Sequence, residues 1–228
     1  IGIELIEERF GSEGEPAWLL VEGDIAHPAV LDAIGELRNN MNNMSAEDPD
    51  KFSRDPSGKI EVIAIDEMLE ASLYALLYDS SPYEVAGWNS SLTDAGVNCP
   101  ISGIGIPDFD NRGCITFFFG FLLTHGVPAS GGVPEISPGI VSGILQSQTE
   151  IDPSSPWLDV EGNPAFFHRT LIQFGIQSAD RFPQVELALA ELDRDLAPFH
   201  NLTDAHRKTR NSLNSATEVK YKSIFPDS

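Results

Sequence analysis

A strand, a turn and a proline-opened amphipathic helix occur twice in this chain, and that recurrence limits the folds open to it. Trp18–Met41 reads WLLVEGDIAHPAVLDAIGELRNNM, and Phe174–Leu196 reads FGIQSADRFPQVELALAELDRDL. Displaced by 155 residues, Pro28 falls on Pro183, Val30 on Val185, Ala33 on Ala188, Glu36 on Glu191 and Leu37 on Leu192. Ile34 on Leu189 and Met41 on Leu196 keep the same positions apolar. Val30, Ile34, Leu37 and Met41, like Val185, Leu189, Leu192 and Leu196, are spaced as one face of a helix with about 3.6 residues per turn. Each proline sits in the first helical turn, where its missing N–H breaks no bond. The pattern predicts a duplicated strand–helix unit.

The rest of the chain supplies partners for these units. Ile1–Phe10 places Ile3, Ile6 and Phe10 on one helical face and stops at Gly11. A strand is expected over Ala17–Glu22, a helix over Pro28–Asn42, and a second strand over Lys59–Ile65, which alternates and is rich in β-branched residues. Asp66–Tyr78 opens on acids and carries Leu69, Leu73, Leu76 and Leu77, which predicts a helix. From Asp79 to Pro164 the chain turns rich in glycine, proline and phenylalanine. Helices are expected there over Thr116–His125 and Pro138–Gln148, the latter capped by Ser137. Arg169–Gln177 resumes the sheet, a helix follows over Pro183–Phe199, and Thr217–Ile224 is the last strand. These elements predict an α+β chain with a duplicated βαβ, ferredoxin-like core, an antiparallel sheet with helices on one face. Residues 1–78 form the first half, 79–164 a helical, loop-rich insertion, and 165–228 the second half.

Charge excludes some partners. Fourteen basic against 35 acidic residues leave a net charge of −21, which repels phosphate backbones, so no nucleic acid is expected to bind. No apolar run reaches the ~20 residues needed to span a bilayer; the longest is Ile115–Leu123. The chain begins on Ile1, without a visible signal peptide, and is expected to be an excised or processed segment. Cys99 and Cys114, its only cysteines, bracket a Gly/Pro/Asp-rich loop. They fit a disulfide in an oxidising compartment, or two buried thiols in a reducing one.

The motifs of common catalysis are missing. The histidines at 27, 125, 168, 200 and 206 lack metal-ligand spacing, and there is no GxSxG, phosphate-binding loop or CxxC. Glu7/Glu8 and Asp193/Asp195 read as solvated helix charge. Asp108–Gly113 resembles the start of an EF-hand loop, but Arg112 and Phe119 occupy positions that need oxygen ligands. No catalytic residue, metal or cofactor is therefore expected, and the chain is read as no enzyme. Phe117, Phe118, Phe119 and Phe121, with Leu122 and Leu123, make a helix apolar on every side, either wholly buried or turned to something greasy.

Glu4–Met41 resembles the first extracytoplasmic loop of resistance–nodulation–division (RND) exporters. It is closest to the MMPL and Patched-like branch of exporters of lipids and hydrophobic compounds. The resemblance rests on Glu7–Gly11, on the LLVEG strand, and on His27-Pro28-Ala29-Val30-Leu31, where histidine replaces the family's usual acid. Thr170–Pro198 resembles the second strand–helix of the same porter domain. The resemblance implies a cell-membrane protein, with this segment extracytoplasmic and flanked by transmembrane helices of the same full-length protein. It implies a hydrophobic or lipid-like substrate, is compatible with a homo-oligomer, and implies that Cys99 and Cys114 form a disulfide. On this reading at least one of Phe117, Phe118, Phe119 and Phe121, beside Leu122, lines a substrate-accessible groove or patch. A stand-alone ferredoxin-like ligand-binding or sensor module is the alternative.

Overall fold

A computed structural model describes residues 14–42, 52–54, 58–86, 109–177, 192, 194–199 and 220–224. Its elements are β1 (Gly14–Glu22), α1 (Pro28–Asn42), β2 (Val62–Ile63), α2 (Ile65–Tyr78), α3 (Ser81–Val85), α4 (Arg112–His125), α5 (Pro138–Ser142), β3 (Leu145–Ser147), β4 (Phe167–Gln177) and β5 (Lys220–Ile224). The fold class is α+β, helices with an antiparallel sheet. The described residues fall into two compact units. One lies within Ile1–Leu20, Asp32–Ile63 and Ile172–Ser228, the other within Val21–Leu31 and Ala64–Leu171.

In the first unit the strand order is β2-β4-β1-β5. β2 runs antiparallel to β4, with Val62 opposite Phe174 and Ile63 opposite Gln173. The strands carrying Leu20 and Phe174 are thus neighbours in one sheet, as a duplicated unit requires. Leu189, the expected counterpart of Ile34, lies outside the described residues. β1 alternates: Ala17, Leu19 and Val21 are buried, while Trp18, Leu20 and Glu22 are half-buried. Further along β4, the Ser53 N–H donates to the Gly175 carbonyl at 2.8 Å. The Phe52 ring meets Phe174 edge to face at 5.6 Å.

α1 spans the residues its periodicity predicts, and Val30, Ile34, Leu37 and Met41 are all buried. Asp32, Glu36 and Asn39 occupy the exposed side. His27 caps it, in the place of the more usual acid: its Nδ1 accepts from the Ala29 N–H at 3.2 Å and its carbonyl from Val30 at 2.9 Å. At the other end Asn42 donates to the Arg38 carbonyl, and its Oδ1 accepts from the Ile60 N–H at 2.9 Å.

Several expectations need correction. The strand read over Lys59–Ile65 shrinks to Val62–Ile63, because Ala64 takes the N-cap position and Ile65 opens α2 ahead of Asp66 and Glu67. The acidic first turn overrides the β-branched run. The helix read over Pro138–Gln148 ends at Ser142, where Gly143 and Ile144 bond back to Ile140 and Val141. Leu145–Ser147 then pairs antiparallel with β4, Leu145 opposite Thr170, with a bulge between Gln146 and Ser147. Burial of Ile144 and Leu145 decides this, since a short apolar run does not distinguish strand from helix. Ser137 stands at the N-cap, but its side chain makes no capping bond. Lastly, Asp195 is only 8% exposed, not solvated. It shares the spacing of Leu192, Leu196 and Phe199, all buried, along a partly helical stretch.

The second unit holds α2 to α5, β3 and the start of β4. The N–H groups of Gly23 and Ile25 donate to the carbonyls of His168 and Phe167, both at 3.0 Å, continuing the β1–β4 pairing in an antiparallel sense. α2 buries Met68, Leu69, Ser72, Ala75 and Leu76 and packs on α4. Leu77, expected with them, is 51% exposed. It lies on the far side of the stripe. Glu7, Glu8, the expected Ile1–Phe10 helix, Asp193, most of the second repeat helix and Thr217–Val219 lie outside the described residues.

The α1 stripe yields a direct test. Leu37→Ala is expected to destabilise by about 2–5 kcal/mol in urea unfolding, whereas Glu36→Ala, one residue away on the exposed side, is expected to stay within about 0.5 kcal/mol.

Candidate functional site

The one stretch that the sequence singles out for chemistry is α4, and its surroundings are built by the residues of the second unit. Asn111 caps it, accepting from the Gly113 N–H at 2.8 Å, so the helix starts a turn earlier than its apolar run predicts. Gly126, at φ 75°, ends it. Thr116 and Thr124 turn their hydroxyls back onto the carbonyls of Arg112 and Gly120, each at 2.8 Å, which leaves no unmet hydroxyl on the helix.

Each phenylalanine of α4 meets another ring. Phe117 stacks on Trp157 at 5.9 Å, Phe118 meets Phe109 edge to face at 5.2 Å, and Phe119 meets Phe167 at 5.4 Å. Phe121 lies between Tyr83 at 4.2 Å and His125 at 4.9 Å, stacked on both. Phe117, Phe118, Phe119 and Leu122 are 0% exposed and Phe121 is 1% exposed. The expectation that one of these rings lines an accessible groove or patch is therefore overturned. They are the core of this unit, and the reason is that aromatic partners arrive from α3, β4 and the loops on all sides. Each such pair contributes ~0.5–1.5 kcal/mol beyond area burial.

Polar groups lock this core in place. Tyr83 donates its hydroxyl to the Ser72 carbonyl at 2.8 Å and lies 2.9 Å from the Ser72 Oγ, joining α3 to α2 in the interior. Burial pushes the Tyr83 phenol up to about 12. Arg112 forks onto Asp24, Nε to Oδ2 at 2.8 Å and Nη2 to Oδ1 at 3.2 Å. Asp159 collects the N–H groups of Asn163 at 2.8 Å and Glu161 at 3.0 Å, closing the loop that carries Trp157. The Asn163 N–H, the largest cause, holds its carboxyl below the usual carboxylate range. Neither Tyr83, Asp24 nor Trp157 stood out in the sequence. Arg112 did, as the cation that breaks the EF-hand pattern but not as an ion-pair partner; it is the only lysine or arginine between Lys59 and Arg169.

The remaining candidates do not assemble. His27 is a helix cap and His125 stacks at the end of α4, its pKa lowered by desolvation. His168 is half-buried on β4, and its Nδ1 has no hydrogen-bond partner among the described residues. His200, His206 and Asp108 lie outside the described residues. Among the described residues no group of three or more His, Cys, Asp or Glu side chains could hold a metal ion. No described helix is long and apolar enough to cross a membrane. Cys114 is disulfide-bonded, and the only other cysteine of the chain is Cys99, outside the described residues.

Two outcomes follow from this packing. A methyl group at Gly120 would overlap the Pro156 carbonyl, a backbone atom that cannot swing away. Gly120→Ala is thus expected to lower stability by about 1–3 kcal/mol in thermal or urea unfolding, although Ala favours an exposed helix by about 1 kcal/mol over Gly. Tyr83→Phe strips a buried bond from Ser72 and is expected to cost about 1–2 kcal/mol. The native phenol titrates higher than in the unfolded chain. Its contribution is therefore full below about pH 10 and lost between about pH 10 and pH 12. The free energy of unfolding of the wild type should fall more steeply across this window than that of Tyr83→Phe.

No family model, no curated protein and no solved structure matches this chain.

Proposed function

We propose that the chain is the extracytoplasmic, porter-type domain of an RND-superfamily exporter of lipids or other hydrophobic compounds, built on a duplicated ferredoxin-like core. The observation that carries this reading is the strand order β2-β4-β1-β5. Two interleaved βαβ units give this order, with the leading strands of the two repeats side by side in the centre. The 155-residue repeat supports the same pairing from the sequence alone. The disulfide at Cys114 supports an oxidising compartment. The likeness of Glu4–Met41 and Thr170–Pro198 to porter loops supplies the family.

In this role the core shapes part of a substrate path. Substrate contact by Phe117, Phe118, Phe119, Phe121 or Leu122 has no part in the reading, since those side chains are enclosed. Transmembrane helices and proton-coupling carboxylates belong to segments outside this chain.

The test uses the whole reading frame that contains this segment, with Glu135→Cys as an exposed label site. Intact cells treated with a membrane-impermeant maleimide should label that cysteine, and cells lacking the protein should retain a hydrophobic dye that wild-type cells expel. A product found in the soluble cytosolic fraction, unlabelled in intact cells, would overturn the proposal and favour the stand-alone sensor module.

A further inference from the structure

Exposed apolar side chains on this protein are gathered rather than scattered. Of the six large hydrophobic residues exposed among those described, four lie within twelve positions: Tyr74 at 64%, Leu77 at 51%, Tyr78 at 75% and Val85 at 85%. Tyr74, Leu77 and Tyr78 are spaced i, i+3 and i+4 and so share one face of α2, opposite the stripe that packs on α4. The patch has a fixed element. A methyl group at Gly131 would strike the Tyr78 ring, so that ring rests against the tight turn at Ser130–Val133 while most of its surface stays open. An aromatic side chain that is exposed yet held in one place loses little entropy when a partner covers it.

Two exposed carboxylates flank this face: Asp79 follows Tyr78, and Glu84, which accepts from the Ser80 hydroxyl at 2.6 Å, precedes Val85. Hydrogen bonds from Ser81 hold the Asp79 carboxyl below its usual range, so it is ionised at neutral and mildly acidic pH. The second unit contains two lysine or arginine residues, Arg112 and Arg169. Both are engaged elsewhere, Arg112 with Asp24 at 2.8 Å and Arg169 with Glu22 at 2.7 Å.

We propose that the Tyr74–Leu77–Tyr78 face of α2, edged by Asp79 and Glu84, docks a basic amphipathic helix of another polypeptide. The apolar side of such a helix covers the tyrosines and Leu77, and its lysines or arginines reach the carboxylates. Charge complementarity selects this occupant. A second copy of this chain would bring acid against acid, and an anionic membrane surface would be repelled. Helix-on-helix packing through side chains spaced i, i+3 and i+4 is an established mode, and tyrosine is among the residues that carry most binding energy at interfaces. The inference stands apart from the transport reading and survives its failure.

The test uses the full 228-residue chain and a fluorescein-labelled amphipathic helix of leucine and lysine, followed by fluorescence anisotropy at physiological salt. A scrambled peptide of the same composition controls for charge alone. Binding of the amphipathic peptide should weaken by about tenfold or more in Tyr74→Ser/Tyr78→Ser and again in Asp79→Asn/Glu84→Gln. Val160→Ser, which removes an exposed apolar side chain away from the patch, should leave it within about twofold. All sites are exposed, so circular dichroism should show each variant folded at the assay temperature. Equal binding of the scrambled peptide, or unchanged binding by the tyrosine variant, would overturn the proposal, as would preferential binding to phosphatidylglycerol vesicles.

Discussion

The backbone of β4 is the constraint on which the rest of the sheet depends. Eleven residues long, it must satisfy N–H and C=O groups along both edges, because buried backbone groups without partners cost free energy comparable to a lost hydrogen bond. β1 is its neighbour in the sheet order. Its other pairings are divided among short segments: Leu145–Ser147 with Phe167–Thr170, Ile144 with Leu171, Val62–Ile63 with Gln173–Phe174, and Phe52–Ser53 with Gly175–Ile176. None of these segments is long enough to be a stable strand alone. Each is defined by what β4 leaves to be filled. The close fit at Gly175, where a side chain would strike Ser53, belongs to the same requirement.

In the second unit a different economy operates. The Cys114–Leu122 run of α4 is buried throughout, and its ring partners come from sequence positions as far apart as Tyr83 and Phe167. Ring stacking alone tolerates sliding. The Tyr83–Ser72 bond, the Arg112–Asp24 fork and the backbone approach at Gly120 fix the arrangement, since each demands one geometry. Enclosure also settles a functional point. A phenylalanine cluster that looks like a lipid-binding surface in one dimension is here a structural core, and most of the exposed large apolar side chains among the described residues lie instead on α2 and just after it.

The distribution of charge connects these features with function. A net charge of −21 is carried with few cations to offset it, and in the second unit both guanidiniums are already committed to carboxylates. Such a surface disfavours anionic ligands and favours basic ones, whatever the fold beneath it. The transport reading rests on different ground, the repeat and the sheet order, and asks nothing of the acidic face. The two proposals meet in one molecule without depending on each other.

Local regularity was legible in the sequence, and closure was not. The bounds of α1 and its buried stripe follow from 3.6-residue periodicity and a proline in the first turn, which are properties of the segment itself. The alternation of β1 and the apolar run of α4 are likewise intrinsic. What covers a side chain is a property of other segments. Whether Phe118 faces solvent depends on Phe109 and Tyr83; whether Leu145 is helix or strand depends on an open place beside Thr170. Asp195 is buried because it shares a stripe with Leu192, Leu196 and Phe199, although its chemistry alone assigns it to the surface. Periodicity and capping act within a few residues and can be read from the chain. Burial and strand pairing are decided by residues far away in sequence, so only the tertiary structure fixes them.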